Sequence, residues 1–366
     1  MTKKIRVGVI GTGQIGKAHI KRYNELPDVE LVGLCDVRLD EAQRVAADAN
    51  VAYTCYDYHE LLKRDDIDSV DVCLHNRLHA GVTIDALEAG KNVYCEKPMS
   101  WTYAEARAMV DAAKRTQMLL HIQLATLYRP ETKAAKRLID GGQLGKVYYA
   151  RCYSYRRRGR PFVDGYGSAQ FVTTRTAGGG TLLDTGIYSL GRMVYLLSAP
   201  NVMTVTGSSY QETGMYEDRR QSSGYNVEEL GIGLARLEGG ATLFIESSWA
   251  IHAGAPEGDT LAGSKGGISL EPFTFYTTLE DMEMDATFDL KSADLRWHAT
   301  NPVVEGYDDS QKHWIWAQLG RVPLLNTARC ALVAAQITEG IYLSASLGHE
   351  VSAAEIEAAP AGSGRP

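Results

Sequence analysis

Compact apolar runs alternate with amphipathic stretches of helical length along the first third of the chain. Ile5 to Ile10 reads as a strand, followed by Gly11-Thr12-Gly13-Gln14-Ile15-Gly16 and a helix from Lys17. A strand at Val29 to Cys35, a helix from Leu39 to about Ala49 and a third strand at Ser69 to Leu74 come next. The helix Ala80 to Ala89 closes on Gly90, a residue suited to the left-handed position after a helix. Val93 to Lys97 reads as a strand that must stop at Pro98, because proline brings no N–H to a ladder. A helix, Tyr103 to Thr116, and a strand, Met118 to Leu124, complete the series. Strands and helices alternating at these lengths predict a parallel sheet covered on both faces.

The pattern changes after Pro130. A helix, Thr132 to Asp140, capped by Gly141-Gly142, gives way to period-two runs at Val147 to Tyr155, Met203 to Tyr210, Gly231 to Leu237, Ala241 to Ile251, Gly267 to Leu270 and Thr274 to Leu279. Glycine turns such as Glu238-Gly239-Gly240 separate several of them, which predicts a large, mostly antiparallel open sheet. Within Ala241 to Ile251, Leu243, Ile245 and Trp249 fall on one face and Phe244 and Ala250 on the other. A sheet apolar on both faces is expected to carry helices on one side and a partner subunit on the other, in a homodimer or homotetramer. Helices at Asp309 to Leu319 and Ala328 to Leu347 close the fold, and the Ala-, Gly- and Pro-rich tail Ala353 to Pro366 is expected to be loose. The expected class is α/β: a Rossmann dinucleotide-binding domain over residues 1–127, an α+β domain for substrate and assembly over 128–352, and a tail from 353.

Composition adds limits rather than detail. A chain of 366 residues suggests two domains, and 45% hydrophobic with 23% charged residues is ordinary for a globular protein. A formal charge of −7 disfavours nucleic acid as a bulk partner, since phosphate binding needs a basic footprint. No apolar run is expected to reach the length of a membrane span, and the residues before Ile5 do not read as a secretory leader. The six cysteines (35, 55, 73, 95, 152 and 330) form no CxxC pair, and four lie in apolar, strand-like runs. They read as buried thiols of a reducing compartment, so a cytoplasmic location is expected.

Candidate chemistry begins at the first turn. G-x-G-x-x-G between a strand and a helix lets Gly11 turn tightly, Gly13 admit a pyrophosphate to the backbone, and Gly16 bring helix and strand together. The helix start offers free N–H groups and a positive dipole end to the phosphates. Asp36 ends the second strand about 20 residues beyond Gly16, the spacing of a ribose-binding acid. Its charge would repel a 2′-phosphate and so favours NAD, while Arg38, two positions on, leaves NADP open. The cofactor contacts expected are Gly11, Thr12, Gly13, Gln14, Ile15, Gly16, Asp36, Val37 and Arg38, followed by Leu74, His75, Asn76 and His79 after the third strand and Glu96 and Lys97 after the next. His79 is either a ligand contact or a polar residue of a helix's first turn.

Glu96 and Lys97 stand at the carboxyl end of the next strand, where open α/β sheets bind ligands, so Lys97 is a candidate proton relay or electrostatic clamp. The basic stretch Arg156-Arg157-Arg158-Gly159-Arg160, with Asp164 and Tyr166 after it, is either a substrate-binding loop or a solvated face. Gly178-Gly179-Gly180 lets backbone pass close to a ligand, and Asp184 and Tyr188 then fall one turn apart on one helix face. A tyrosine beside a lysine can transfer protons, because the ammonium favours phenolate.

Together these motifs resemble the Gfo/Idh/MocA family of sugar oxidoreductases, over roughly residues 5 to 351. The resemblance rests on the glycine loop, Glu96-Lys97-Pro98, Gly178 to Tyr188, and the closing segment from Glu339-Gly340-Ile341-Tyr342 to Glu350-Val351. It implies a Rossmann domain followed by an α/β domain whose open sheet builds dimers or tetramers. It makes Lys97 the catalytic lysine, Asp184 a substrate-side acid, and places Tyr188 where many members carry a catalytic histidine. That is the tyrosine branch, which looks like glucose–fructose oxidoreductase and certain sugar ketoreductases. Gly191 and Ala125 depart from residues that are often polar in the family, which bears on substrate identity.

The implied function is nicotinamide-dependent hydride transfer at a secondary alcohol or ketone of a sugar, glycoside or cyclitol. Lys97, Arg157, Asp164, Asp184 and Tyr188 would face the substrate, and no metal is called for. Two alternatives remain: a glycosidase that oxidises transiently and eliminates with NAD retained, and a non-catalytic nicotinamide sensor on the same fold.

Overall fold

The structure, a computed structural model, describes residues 3–365. It divides into two compact units. The first contains residues up to Ser100, Glu105–Gln123 and His298–Ala328. Its strands are β1 (Ile5–Ile10), β2 (Val29–Cys35), β3 (Thr54–Cys55), β4 (Ser69–Val72), β5 (Asn92–Cys95) and β6 (Leu120–Ile122). They form one sheet in the order β3-β2-β1-β4-β5-β6, with all pairs parallel. Strand order reverses between β1 and β4, so a ligand crevice opens at the carboxyl ends of those two strands. Val7, Val9, Val70, Val72, Val93 and Tyr94 are wholly buried, as a sheet covered on both faces requires.

The expected edges of β1, β2 and the helix Leu39–Ala49 agree with the structure. The helix expected from Ala80 starts earlier, at Asn76, and the strand expected to run to Lys97 ends at Cys95. Two larger features also differ from the expectation. β3 is only two residues long and pairs with Leu34 and Cys35, too short for any periodicity to announce it. Residues 298–328, assigned by sequence to the second domain, fold onto this first sheet instead. The helix Ser310–Gln318 buries Trp314 completely, with its Nε1 donating to Ser69 Oγ at 3.0 Å. Tyr94 donates its hydroxyl to Ser310 Oγ at 2.9 Å, and Arg321 pairs with Asp28 at 2.6 Å. An apolar helix face is complementary to any uncovered sheet, and local pattern does not say which one it will cover.

The second unit contains Trp101–Ala104, Leu124–Trp297 and the residues from Arg329 on. Its strands are β7 (Val147–Tyr155), β8 (Val202–Tyr210), β9 (Leu230–Leu237), β10 (Thr242–Ser248), β11 (Thr260–Gly263), β12 (Gly267–Leu270), β13 (Phe273–Leu279), β14 (Met282–Thr287) and β15 (Val351–Ser352). The sheet order is β14-β13-β12-β11-β7-β10-β9-β8-β15, antiparallel except for the parallel pair β7–β10 near its middle. β11, β14, β15 and the helix Leu290–Thr300 were not legible in the pattern; β14, for one, has no fully buried side chain to mark a face. In β10, Leu243 and Ile245 are buried, while Thr242, Phe244 and Glu246 are only half-covered within this chain.

The helix Thr327–Leu347 is long and apolar enough to cross a membrane by composition, contrary to the sequence expectation, yet 78% of that apolar window is buried inside the fold. Ile341 explains the burial. It lies against Gly207 and Gly233, where any Cβ would come within 2.8 and 2.4 Å of it. The tail is also more ordered than expected. Ser352 and Glu355 form a capping box that starts the helix Ala353–Ala358. Arg365 then pairs with Glu339 at 2.6 Å and lies over the rings of Trp101 and Tyr342.

Candidate active site

In the first unit the three loop glycines do different work. Gly11 has φ +98°, and a Cβ there would stand 2.2 Å from the Cys73 carbonyl oxygen. A Cβ on Gly16 would lie 1.9 Å from the Gly11 oxygen, so helix and strand touch backbone to backbone. A Cβ on Gly13 would meet nothing within 4 Å. That open side is where a pyrophosphate needs room, and the helix Gln14–Asn24 begins there with no side-chain cap.

Thr12 donates its N–H and its Oγ1 to Asp36 Oδ2, at 2.8 and 3.0 Å, and Arg38 N–H donates to Oδ1 at 2.9 Å. A carboxylate offers about four acceptor positions, so acceptor capacity remains for a ribose hydroxyl. Arg38 is 63% exposed with Nε 3.7 Å from Asp36 Oδ1, and Val37 is 72% exposed. The loop therefore fits a dinucleotide, with the acid rather than the arginine fixed at the strand end.

At the ends of β4 and β5, His75 occupies the position before the helix Asn76–Glu88 without a side-chain capping bond and is exposed, while Leu74 and Asn76 are half-buried. His79 is 1% exposed, with Nδ1 2.7 Å from Pro98 O and Nε2 2.9 Å from Leu74 O. Burial holds its pKa below the ordinary value. Of the two readings left open, ligand contact is therefore not the one the structure supports. His79 ties the end of β4 to the loop that carries Lys97.

Glu96 is buried, and its Oε2 accepts the Lys97 backbone N–H at 3.0 Å. Lys97 itself is half-buried and precedes a cis bond to Pro98. Sequence reasoning missed His19, whose Nε2 lies 3.1 Å from Glu96 Oε1 and whose Nδ1 lies 2.9 Å from Asp71 Oδ2. A signal was present: His19 stands three residues after Gly16, on the same strand-facing side of the helix. His19, Asp71 and Cys73 bring ligand-type atoms within 4.8 Å of one another. They bond to each other, with Cys73 Sγ 3.3 Å from Nδ1 and 3.2 Å from Asp71 Oδ1.

In the second unit the triple glycine has a different cause from the one expected. A Cβ on Gly178, Gly179 or Gly180 would lie 2.5 Å from Trp101 Cβ, 2.3 Å from Tyr342 Oη or 1.9 Å from Glu228 O. The backbone passes close to protein at all three positions. Glu228, another residue the sequence did not flag, is fully buried and accepts from Gly180 N (2.7 Å), Leu182 N (3.1 Å) and Tyr342 Oη (2.8 Å). It closes the start of the short helix Thr181–Asp184. Burial pushes its carboxyl pKa up.

Asp184 ends that helix and Tyr188 lies in the next, Gly186–Leu196; Thr185 between them keeps near-helical angles. Both side chains are half-buried. The helices sit on the carboxyl ends of the parallel pair: Thr181 Oγ1 is 2.7 Å from Ser247 Oγ, and Ser189 Oγ donates to Tyr153 O at 2.8 Å. Thr126 Oγ1 donates to the Tyr188 carbonyl at 2.9 Å. A Cβ on Gly191 would come 3.1 Å from Leu124, whose side chain fills the space an acid would need there.

The arginine loop divides. Arg157 is exposed, and its carbonyl accepts from Ile251 N. Tyr166 reaches into the field of Asp184; burial first, with that charge, pushes its pKa up to about 12. Asp164, expected to face the substrate, is turned inward onto Arg160. Its side chain is 5% exposed and accepts from Arg160 N (2.8 Å) and Arg160 Nε (2.9 Å). Arg160 is itself wholly buried and also bonds Glu229 at 2.7 Å. Asp164 is thus a buried counter-ion that shapes the loop.

Residues 5–124 match the family model described as an oxidoreductase family with an NAD-binding Rossmann fold, and residues 132–269 match the GFO/IDH/MocA C-terminal domain. D-glucoside 3-dehydrogenase of Escherichia coli (strain K12) is 30% identical over 355 residues, covering 95% of this chain and 97% of that protein. Myo-inositol 2-dehydrogenase of Thermotoga maritima is 26% identical over 264 residues, covering 72% and 74%. A levoglucosan dehydrogenase solved with NADH shares the fold, with TM-score 0.79 at 20% identity over 96% and 99% of the two chains. Sequence and fold agree along nearly the whole length, and the chain belongs to the Gfo/Idh/MocA family of NAD-binding oxidoreductases.

Proposed function

We propose that this protein is a dehydrogenase or ketoreductase for a secondary alcohol or ketone of a sugar, glycoside or cyclitol, with Tyr188 as its acid/base and Lys97 as the electrostatic partner. The observation that carries this reading is the near full-length similarity to D-glucoside 3-dehydrogenase, in a chain that holds Lys97 on Glu96 at a strand end. Bound NAD(H) supplies the hydride acceptor or donor for the alcohol carbon. In the oxidising direction Tyr188 Oη takes the hydroxyl proton as the carbonyl forms, and in the reducing direction it returns that proton. The Lys97 ammonium favours the phenolate and lowers the cost of the transfer. Asp184, half-buried beside Tyr188, accepts hydrogen bonds from neighbouring sugar hydroxyls.

The test is a panel of glucosides, other glycosides and cyclitols incubated with NAD, with NADH followed by absorbance. Net NADH with an oxidised sugar supports the reading. Glycoside cleavage without net NADH would instead mark the transiently oxidising glycosidase, and cofactor binding without turnover of any substrate would mark a sensor. On the best substrate, Tyr188→Phe should lower kcat by about 10²–10⁴-fold and leave NAD affinity nearly unchanged. Lys97→Ala should be at least as damaging, and the two losses should not add, because the residues act as a unit. A raised KM with kcat within a few-fold for Tyr188→Phe would mean that Tyr188 only packs under the sugar.

The half-covered face of β10, which includes Phe244, favours a dimer or tetramer. Sedimentation at micromolar concentration showing only monomer would count against that assembly. All six cysteines are free thiols, which suits a reducing, cytoplasmic setting.

A further inference from the structure

The helix Gln14–Asn24 sends one histidine into the sheet beneath the glycine loop, where both of its ring nitrogens end on carboxylates. Nδ1 is 2.9 Å from Asp71 Oδ2 and Nε2 is 3.1 Å from Glu96 Oε1, with His19 5% exposed. A neutral imidazole has one N–H and one lone pair, so it would bond one carboxylate and turn its lone pair on the other. Only the imidazolium donates to both. Two buried carboxylates without a counter-charge are also costly, and a cation between them removes that cost.

Of the other groups facing His19, the Lys97 ammonium adds positive charge on the Glu96 side. From its own helix comes Tyr23, whose phenol burial holds neutral. β4 contributes Asp71 and Cys73, and burial pushes the Cys73 thiol up, so it is neutral as well. β5 contributes Tyr94, whose ring stands edge-on at 5.7 Å, and then Glu96 and Lys97. Gln311, which donates to His19 O at 3.2 Å, and His79, near Glu96, complete the surround. Burial alone would lower the His19 pKa, but the Asp71 carboxylate and the hydrogen bonds at Nδ1 reverse it to well above the ordinary value. Glu96 shows the complementary effect: burial raises it, and the His19 hydrogen bond and charge pull it below the usual carboxylate range.

The second oxygen of Glu96 accepts the Lys97 N–H at 3.0 Å, so hydrogen bonds run without a break from Asp71 through His19 and Glu96 to the Lys97 backbone. We propose that His19 is a fixed imidazolium and the positioning residue for Lys97, keeping Glu96 ionised so that its carboxylate holds the lysine's backbone in place. The positioning half rests on Lys97 being catalytic; the charge half does not.

The charge half is read by NMR on NAD-bound enzyme with ¹⁵N-labelled histidine, with His19 assigned by its loss in His19→Gln or, failing that, by its contacts. Both ring nitrogens should show protonated shifts that stay constant across about pH 5.5–7.5, where an ordinary histidine titrates. In Glu96→Gln, which keeps shape but removes charge, the His19 pKa should fall measurably from its wild-type position. A neutral tautomer in the wild type, or an unchanged pKa in Glu96→Gln, would overturn the assignment.

The positioning half is read by kinetics. His19→Gln should lower kcat by roughly 10²-fold, the scale of an ångström-sized misplacement, with the NAD Kd unchanged. It should also add a new acid limb to the pH profile as the uncompensated Glu96 takes up a proton, and His19→Gln/Glu96→Gln should lose that limb. Wild-type kcat with an unshifted profile in His19→Gln would refute positioning. If His19→Gln does not fold, Glu96→Gln serves alone: its kcat should fall at unchanged NAD Kd, and wild-type kcat there would refute positioning too. If the wild type turns over no sugar or cyclitol, the functional proposal fails while the NMR result on His19 stands or falls by itself.

Discussion

Alanine at Gly13 and alanine at Gly16 should damage the protein in opposite ways. At Gly16 the new methyl would lie 1.9 Å from the Gly11 oxygen, whereas ordinary contact is 3.4–4 Å. Helix and strand must separate by roughly 1.5 Å, an overpacking that typically costs about 1–3 kcal/mol. At about 2–4 °C per kcal/mol for a domain of this size, Tm should fall by several degrees. At Gly13 nothing lies within 4 Å, and φ −67°, ψ −167° is backbone that alanine adopts freely. Stability should change by less than about 1 kcal/mol, because the entropy removed from the unfolded chain offsets the poorer N-cap.

The Gly13 methyl would, however, occupy the approach of the pyrophosphate. Losing one charge-assisted hydrogen bond there, about 1.5–3 kcal/mol, weakens NAD by roughly 10- to 150-fold. Calorimetric titration with NAD and thermal melts of the cofactor-free protein separate the two effects. Gly13→Ala binding NAD as tightly as wild type, or Gly16→Ala melting unchanged, would refute the reading of this loop.

Other outcomes follow from the same side chains. Asp36→Ala should narrow the preference for NAD over NADP by removing a like-charge contact worth on the order of a few kcal/mol; fluorescence titration showing NADP tighter in the wild type would mean that Arg38 dominates. Conformational stability should decline on both sides of neutrality. The folded pKa of Glu96 is lowered, so its contribution is complete above the ordinary carboxyl value of about 4.3 and is lost as pH falls through the folded value. That of His19 is raised, so its contribution is complete below about 6.5 and declines as pH rises further, by at most about 1.4 kcal/mol per pH unit. Urea unfolding as a function of pH checks both limbs, and His19→Gln should flatten the alkaline one. Arg365→Met should loosen the turn at Gly178, to whose carbonyl the guanidinium donates, and raise KM for the sugar; an unchanged KM would separate the tail from the site.

What the sequence revealed tracks how local the cause is. β1, β2 and the helix Leu39–Ala49 were legible to the residue because their burial repeats within a few positions. So were the three loop glycines, since strand, turn and helix are contiguous. Residues 298–328 were misassigned because Trp314 finds Ser69 across more than two hundred residues, a match with no local trace. The same limit hid His19, whose partners Asp71 and Glu96 come from two other strand ends. Gly178 to Gly180 and Asp164 were recognised as special, but the demand on them comes from Trp101, Tyr342, Glu228 and Arg160. A glycine run signals close approach without naming what approaches.

The most direct test of sugar oxidation by this chain is to follow the hydrogen that moves. A glucoside, or the best substrate of the panel, deuterated at its ring carbinol carbons, would be turned over with unlabelled NAD and the NADH recovered for mass spectrometry. Hydride transfer predicts one deuteron in each NADH, a matching keto-sugar, and a rate at least 10²-fold lower in Tyr188→Phe. Unlabelled NADH, or a cleaved glycoside with no net NADH, would contradict it.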